Sequence, residues 1–348
     1  MAKFCAANFS QKRKENKTLK TQRSTARARL KRIGLSILVV ILVIAGSLFL
    51  PWNVSALVSH PHPAQNYEKA VQRIDALKAN RLSEMNPECV AQFMTHGQKV
   101  DQVIVLVHGY TNCPKEFVEL GKQFYDLGYN VLIAPLPHHG LKNRLSDEQG
   151  ELNAKELAAY TDQVVDIARG LGSHVTIMGY SCGGVVTAWA AQHRSDVDTA
   201  VVMSPAFGYL AVPTPLTAPV MNYVIAAPDV FEWWDPQLQA AASPDYTYPR
   251  YSKHALAQIM RLGFSVQVNS WFKTPLAQQV IVVTNANDDS VNNELTAKVA
   301  KHWLEHDTQL VTYEFPVSFK LPHDLVDSNK PNSNTKVVNQ KLIELVTH

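Results

Sequence analysis

The sequence is poor in cysteine, and its few cysteines are not spaced as metal ligands. Four of the 348 residues are cysteine, and no two form a C-x-x-C pair: they are Cys5, Cys89, Cys113 and Cys182. This spacing does not indicate a cysteine-based zinc site. His60 and His62 lie in a proline-containing stretch that is more typical of a solvated linker than of a metal site. We therefore expect neither a metal nor an organic cofactor.

Beyond its first 32 residues the chain also lacks an excess of positive charge. Residues 1–32 contain 11 of the 33 Lys and Arg residues and one acid, Glu15, which leaves 22 basic and 29 acidic residues elsewhere. The formal net charge of +3 thus averages a basic tail and an acidic body. Such a body lacks the basic surface that nucleic-acid binding requires, so we expect no nucleic-acid partner.

Residues 33–50 contain no charged residue at all. Pro51 and Trp52 close this stretch, and tryptophan is favoured at a membrane interface. With Trp52 included, the segment approaches the ~20 residues that cross a bilayer. We expect an uncleaved transmembrane anchor over 33–52. The basic tail, residues 1–32, would stay in the cytoplasm, and the rest of the chain would lie outside it, which is the periplasm if the cell is Gram-negative.

A cleaved signal peptide is the alternative interpretation of this segment. Val54, Ser55 and Ala56 offer a small-residue cleavage site, although the apolar region of a signal peptide is usually only about 7–15 residues long. Both interpretations place the remaining chain where a disulfide can persist.

The chain behind the anchor divides into an entry segment, 53–88, and one globular domain, 89–348. The entry segment begins with prolines, as a linker does, and continues with Val71, Ile74 and Leu77 at helical spacing. We expect a helix over 66–84. No internal repeat is visible, and nothing in the sequence indicates an oligomeric state.

Apolar runs rich in β-branched residues alternate with helical patterns in the domain. The runs at 103–107, 130–134, 175–178 and 199–203 predict strands that are buried on both faces. Asn153 is placed to cap a helix between the second and third of these runs. The alternation predicts an α/β fold with a mainly parallel sheet flanked by helices.

Residues 204–270 interrupt this alternation. They contain several prolines and an aromatic cluster at 231–234, and the sheet pattern resumes at 280–283 and 310–315. We expect 204–270 to form a cap or lid insertion over the carboxyl edge of the sheet, where open α/β sheets bind their ligands.

A G-x-S-x-G motif follows the third run and precedes a helical pattern. Strand, motif and helix together are the context of a nucleophile elbow, with Ser181 on a strained turn and its hydroxyl exposed. Gly179 and Gly183 would let the strand and the helix cross closely. The alternative is an ordinary turn of small residues, because G-x-S-x-G often occurs by chance.

With three further landmarks, this motif resembles the α/β-hydrolase superfamily over residues 89–348. They are His108-Gly109-Tyr110-Thr111 after the first clear strand, Pro137-His138-His139-Gly140, and Asp288 or Asp289 followed by His323. The second is close to the P-G-H-G of the family. The order Ser, Asp, His along the chain is that of α/β hydrolases. Among their branches, the pattern is similar to the bacterial carboxylesterase and monoacylglycerol-lipase group.

The resemblance implies a catalytic triad. His323 would accept the proton of Ser181, and an aspartate would fix the tautomer of the imidazole and stabilise the imidazolium. The backbone N–H groups of Tyr110 and Cys182 would bind the oxyanion that forms on the acyl carbonyl.

The identity of the acid rests on the turn that precedes it. Asp288 has Val291 three residues later and Asn285 three residues earlier, at a position where the family often has glycine. Asparagine tolerates left-handed backbone better than most residues. We expect Asp288 to be the triad acid and Asp289 to be a solvated neighbour, with Asp289 as the alternative acid.

Cys89 precedes the first clear strand, and Cys113 lies in the loop that follows it. We expect a disulfide between them that tethers the entry segment to the loop 108–113, which contains Tyr110 and is called the oxyanion loop below. Two unpaired thiols are the alternative.

The predicted function is that of a membrane-anchored serine hydrolase, a carboxylesterase or lipase acting on a small-molecule ester or lipid. An amidase, peptidase or acyltransferase could use the same triad. A non-catalytic binding module of the same fold is the alternative outside enzymes. A haloalkane dehalogenase is disfavoured because that group carries Asp at the elbow.

Overall fold

The computed structural model describes Lys20 and residues 29–306, 308–330 and 333–348. It divides into two compact units, one up to Leu50 and one from Pro51 to His348. Helix α1 (Arg29–Ser47) belongs to the first unit and has a mean hydropathy of 2.0. Its length and composition would allow it to cross a membrane, and a signal sequence would satisfy the same criteria. Most of the predicted cytoplasmic tail lies outside the described residues, and the anchor at 33–52 stays a prediction.

The second unit is built on a sheet. The strands of the described chain are β1 (Gln92–Met94), β2 (Val100–Val107), β3 (Asn130–Ile133), β4 (Gly172–Tyr180), β5 (Thr199–Met203), β6 (Phe231–Trp233), β7 (Arg250–Ser252), β8 (Gln279–Asn285) and β9 (Leu310–Phe315). The main sheet has the order β1-β3-β2-β4-β5-β8-β9. All neighbouring pairs in it are parallel except β1 and β3. Strands β6 and β7 form a separate antiparallel pair.

Helices cover both faces of this sheet. The helices of this unit are α2 (Tyr67–Ala79), α3 (Val118–Asp126), α4 (Ala154–Leu171), α5 (Cys182–His193), α6 (Thr217–Ala226), α7 (Lys253–Ser270), α8 (Asn293–Glu305) and α9 (Thr335–Thr347), and α6 packs against α7. In β2, Val103, Val105 and Val107 pack into the core with α4, α5, α7 and α8. Ile104 and Leu106 point to the opposite face and pack with α3 and α9. The continuous apolar run of β2 is therefore buried on both faces, as predicted.

Local signals account for several element boundaries. The side chain of Asn153 accepts hydrogen bonds from the backbone N–H groups of Lys155 and Glu156, and the backbone N–H of Asn153 donates to the carboxylate of Glu156. This capping box begins α4 where the sequence predicts it. The predicted helix over 66–84 ends earlier, at Ala79.

The predicted cap range, 204–270, includes a helix that belongs to the core. Ile259, Leu262 and Val266 of α7 are buried in the same cluster as α5. Because β5 and β8 are parallel neighbours, the chain needs a crossover between them, and α7 is the part of that crossover that packs into the core beside α5. Only residues 204–252 then remain available for a cap, and their role as a cap stays a prediction.

The entry segment is bound to the domain rather than solvated as a linker. The backbone N–H groups of His60 and His62 donate to Asp162 and Asp166 of α4, at 2.6 and 2.8 Å. Both carboxylates also pair with the guanidinium of Arg194, whose side chain is 1% exposed. The backbone of residues 60–62 therefore completes a buried ionic cluster.

Candidate active site

Ser181 lies on the turn between β4 and α5 with φ +56° and ψ −115°. Its N–H donates to the carbonyl of Met203 at 3.0 Å, and its own carbonyl accepts from Ala206. A Cβ at Gly183 would collide with the carbonyl of Val107, and one at Gly179 would collide with the carbonyl of Gly183. The turn has the close strand–helix crossing that the sequence predicts, and it needs glycine at both flanking positions.

Asp288 and His323 form a hydrogen-bonded pair. Nδ1 of His323 is 2.8 Å from one carboxylate oxygen of Asp288 and 3.0 Å from the other. The Asp288 side chain is fully buried, and it also accepts from the backbone N–H groups of Ser290 and Val291. Asp289 is exposed and accepts from the hydroxyl of Ser290. The structure thus brings His323 to Asp288 rather than to Asp289.

The surroundings of this pair shift both groups. Burial disfavours the charged form of each, but their mutual hydrogen bond and charge interaction outweigh it. The net effect lowers the pKa of Asp288 and raises the pKa of His323 from their ordinary values. An imidazolium at His323 is therefore stabilised by the carboxylate at its Nδ1.

His323 lies beside the elbow. Its ring packs against that of Tyr180, with 5.6 Å between the ring centroids, and Tyr180 directly precedes Ser181. Ser181, Asp288 and His323 follow the carboxyl ends of β4, β8 and β9, which share one edge of the sheet.

The loop after β2 contains the predicted oxyanion donor Tyr110. The N–H of Gly109 donates to the carboxyl of Glu116 at 2.8 Å. Nε2 of His108 accepts from the N–H of Leu136, so its Nδ1 carries the proton that bonds the carbonyl of Gly109. Burial lowers the pKa of His108 to about 3, which keeps the ring neutral. His108 thus holds the loop in place.

Cys182, the other predicted oxyanion donor, is the first residue of α5 and is fully buried. Burial raises the pKa of its thiol, which makes a reactive thiolate unfavourable. The candidate role of Cys182 is therefore confined to its backbone N–H.

A disulfide and two hydrogen bonds hold the far end of the oxyanion loop. Cys89 and Cys113 form a disulfide with 5.3 Å between their Cα atoms, and both are fully buried. Thr111, at φ +65°, accepts a hydrogen bond from the indole N–H of Trp234 at 3.0 Å. Its carbonyl accepts from the N–H of Tyr248 at 2.8 Å. The loop is thus joined to the start of the predicted domain at Cys89 and to the region of the predicted cap.

His138 replaces the first glycine of the P-G-H-G pattern and keeps a glycine-like backbone, with φ +64°. Its carbonyl accepts from the hydroxyl of Tyr248 at 3.1 Å. The next residue, His139, accepts from the N–H of Thr111 through Nε2 at 3.2 Å. This loop therefore supports the oxyanion loop. Within the described ranges, no group of three or more His, Cys, Asp or Glu side chains could hold a metal ion.

Asn285 has a role that sequence reasoning missed. It is the last residue of β8 and is not among the described residues with positive φ, so the left-handed turn expected there is wrong. Its side-chain amide instead donates to the carbonyls of Leu321 and Pro322, at 3.1 and 3.0 Å. Asn285 thereby ties the loop that carries Asp288 to the segment that leads into His323. No local signal in the sequence reveals this contact, because its partners lie 36 and 37 residues away.

Comparison with known proteins places this architecture among hydrolases. The family model described as serine aminopeptidase, S33 matches residues 98–315. The chain is 25% identical over 120 residues to a thermostable monoacylglycerol lipase of Bacillus sp. (strain H-257), covering 33% of this chain and 44% of that protein. It is 30% identical over 106 residues to phospholipase YtpA of Bacillus subtilis (strain 168), covering 29% and 39%. The chain thus spans about two fifths of the length of these curated relatives.

Solved structures share the fold at low identity. The monoacylglycerol lipase of Paleococcus ferrophilus is 16% identical, with a TM-score of 0.56 over 74% of this chain and 97% of that one. A soluble variant of monoglyceride lipase from Saccharomyces cerevisiae, in complex with a substrate analog, is 14% identical. Its TM-score is 0.56 over 74% of this chain and 90% of that one. At these identities the likeness concerns the fold alone.

Proposed function

The chain belongs to the serine aminopeptidase S33 family and has the α/β-hydrolase fold, and on this premise we propose that it is a serine hydrolase that cleaves carboxylic esters. The observation that carries the proposal is the hydrogen-bonded Asp288–His323 pair beside the Ser181 elbow. A carboxylate, an imidazole and a serine on such a turn are the parts of an acyl-transfer site.

In the proposed reaction, the hydroxyl oxygen of Ser181 attacks the ester carbonyl while Nε2 of His323 accepts its proton. The negative charge on the carbonyl oxygen is stabilised by the N–H groups of Tyr110 and Cys182. The imidazolium then returns the proton to the departing alcohol, which leaves an acyl group on Ser181. Water, deprotonated by His323, cleaves this acyl-enzyme, and the serine regains its proton.

Asp288 has a supporting part in this scheme. Its carboxylate holds the proton on Nδ1 of His323, so that Nε2 faces the reaction as a base. The backbone N–H groups of Ser290 and Val291 fix the carboxylate in turn. Each proton transfer thus starts from a defined tautomer.

The proposed substrate is a small-molecule ester or a lipid. The relatives described above include a monoacylglycerol lipase and a phospholipase, which favours an acyl ester. Trp234 lies half exposed next to the oxyanion loop and offers an apolar surface there. We assign the cap role to 204–252.

We also propose that α1 anchors the protein in a membrane. In this arrangement the basic tail is cytoplasmic and the hydrolase domain is extracytoplasmic. The Cys89–Cys113 disulfide is consistent with an oxidising compartment.

The decisive test replaces the proposed nucleophile. Ser181→Ala should lower the hydrolysis of a p-nitrophenyl ester by on the order of 10⁴-fold or more and abolish labelling by a fluorophosphonate. Ser173→Ala is the matched control, because Ser173 is exposed at the opposite end of the same strand. It should keep the parental rate. Hydrolysis by Ser181→Ala at the parental rate would contradict the proposal.

The family description favours one further candidate, an amidase or peptidase. An aminoacyl p-nitroanilide distinguishes the two activities, since its cleavage reports on an amide bond. Ser181-dependent cleavage of the anilide without cleavage of the ester would establish the amidase. An unlabelled parental protein that cleaves neither substrate would instead indicate a binding module.

A further inference from the structure

A second carboxylate follows His323 directly in the chain, and the proposed reaction does not use it. The hydroxyl of Tyr180 donates to one oxygen of Asp324 at 2.5 Å. The ammonium of Lys330 is 2.7 Å from the other oxygen. The side chains of Asp324 and Lys330 are 22% and 34% exposed, so both are partly shielded from solvent.

Tyr180 connects this carboxylate to the rest of the site. Its side chain is buried, its ring packs against His323, and the next residue is Ser181. A Cβ added at Gly109 would lie 2.6 Å from its hydroxyl oxygen, so the same hydroxyl also borders the oxyanion loop. The bond from Tyr180 to Asp324 therefore joins the segment that bears His323 to the strand that leads into the elbow.

The carboxylates around His323 attract a proton to its ring with unequal strength. Asp288 contacts its Nδ1, and Asp324 and the exposed Asp289 add weaker attraction for a proton. The positive charge of Lys330, in the same segment of chain, is paired with the carboxylate of Asp324 and partly neutralises it. Glu116 also lies near Asp324 and Lys330, but burial raises its pKa well above the ordinary value and favours its neutral form. Asp327 lies nearby too, and its carboxylate accepts from Tyr246 and from the backbone N–H of Asn329.

We propose that Asp324 is a positioning residue, which holds His323 against the elbow through Tyr180 and, balanced by Lys330, adjusts how readily the imidazole takes up a proton. The proposal rests on the proposed function, in which His323 is the base. It adds an ion pair outside the triad, in which Asp324 attracts a proton to His323 and Lys330 partly neutralises Asp324.

Two substitutions separate these opposing effects. Asp324→Asn removes a negative charge near the imidazolium and should lower the pKa of His323. Lys330→Met removes the balancing positive charge and should raise it. The base must be neutral to act, so kcat/KM rises with pH through the pKa of His323. At a single pH on this acidic limb, kcat/KM is compared with its own plateau value for each protein. This fraction should be about threefold larger in Asp324→Asn than in the parent, and about threefold smaller in Lys330→Met.

Tyr180→Phe is the control for the hydrogen bond. It removes the donor to Asp324 but leaves every charge in place, so it should move the acidic limb far less than Asp324→Asn. A limb displaced equally in Tyr180→Phe and Asp324→Asn would overturn the role of the Asp324 charge.

A direct titration keeps this test independent of turnover. The ring of His323 can be followed by NMR in Ser181→Ala protein carrying labelled histidine, with Ser181→Ala/His323→Gln to assign the signal. Midpoints that move down with Asp324→Asn and up with Lys330→Met would support the proposal. Midpoints that stay together, or move in one direction, would overturn it. Such midpoints would not affect the proposed function, provided that the parent still hydrolyses esters through Ser181.

Discussion

At the scale of single residues, two adjacent carboxylates have opposite surroundings. Asp288 is buried against His323, whereas Asp289 is exposed. Asp288→Asn keeps the shape but presents an amide to Nδ1 and so favours the wrong tautomer of His323. We expect a loss of about 10⁴-fold in kcat. Asp289→Asn is the same chemical change one residue later and should leave kcat within a few-fold of the parent. Steady-state kinetics of both variants on one ester would show which aspartate is the triad acid. A large loss of kcat confined to Asp289→Asn would assign that role to Asp289 instead.

The sequence singled out Asp288 by an argument that the structure does not support. We expected Asn285 to supply a left-handed turn, but it ends β8 and binds the segment before His323. Similarly, the positive φ of His138 accompanies a hydrogen bond to Tyr248, 110 residues further on. A motif can be read locally, as at Ser181. The contacts that orient its partners come from distant segments, and one sequence does not reveal which segments meet.

At the scale of elements, predictability followed the strength of the hydrophobic pattern. The long apolar runs gave the parallel strands, and β5 and β9 have the predicted bounds of 199–203 and 310–315. The three-residue strands β1, β6 and β7 were missed because they are too short to show a period. Helix α7 falls within the range that the sequence predicts for the insertion, because prolines and aromatic residues precede it. The need for a crossover between two parallel strands would have been the better guide.

The disulfide offers a test at this scale, because it closes a loop between residues 24 apart in sequence. Cys89→Ser/Cys113→Ser should lower the free energy of unfolding by about 3 kcal/mol, since the unfolded chain regains the entropy of the open loop. Urea unfolding of the variant and of the oxidised parent measures this difference. The fully reduced parent is the matched control and should unfold at nearly the midpoint of the variant. Equal stability of the variant and the oxidised parent would contradict the expectation.

At the scale of the whole molecule, the start of the folded domain lies further towards the N-terminus than the sequence indicates. We predicted the globular part from residue 89, yet Leu57 is only 3% exposed. Asp162 also accepts from the hydroxyl of Ser59. The proline-containing stretch resembles a linker by composition. Its backbone N–H groups, however, bind the carboxylates beside Arg194, and amino-acid composition does not reveal backbone hydrogen bonds.

Two truncated chains test this boundary. A chain that starts at Pro51 keeps the donors to Asp162 and Asp166, whereas one that starts at Asn66 leaves both buried carboxylates with fewer partners. Each lost partner costs about 1–3 kcal/mol, so the Asn66 chain should melt several degrees lower than the Pro51 chain. Ser59→Ala in the Pro51 chain removes one donor and should give a smaller decrease in Tm. Identical melting of the two chains would show that residues 51–65 are dispensable.

The backbone of Ser181 has a consequence for how such a sequence evolves. A side chain at φ +56° costs about 1–3 kcal/mol, which glycine would largely avoid. A copy of the chain released from selection for activity could therefore gain stability by replacing its proposed nucleophile. A copy still under selection must retain serine and the cost of its conformation, and mutations elsewhere must supply the compensating stability. The elbow thus sets a trade-off between activity and robustness to mutation for the entire domain.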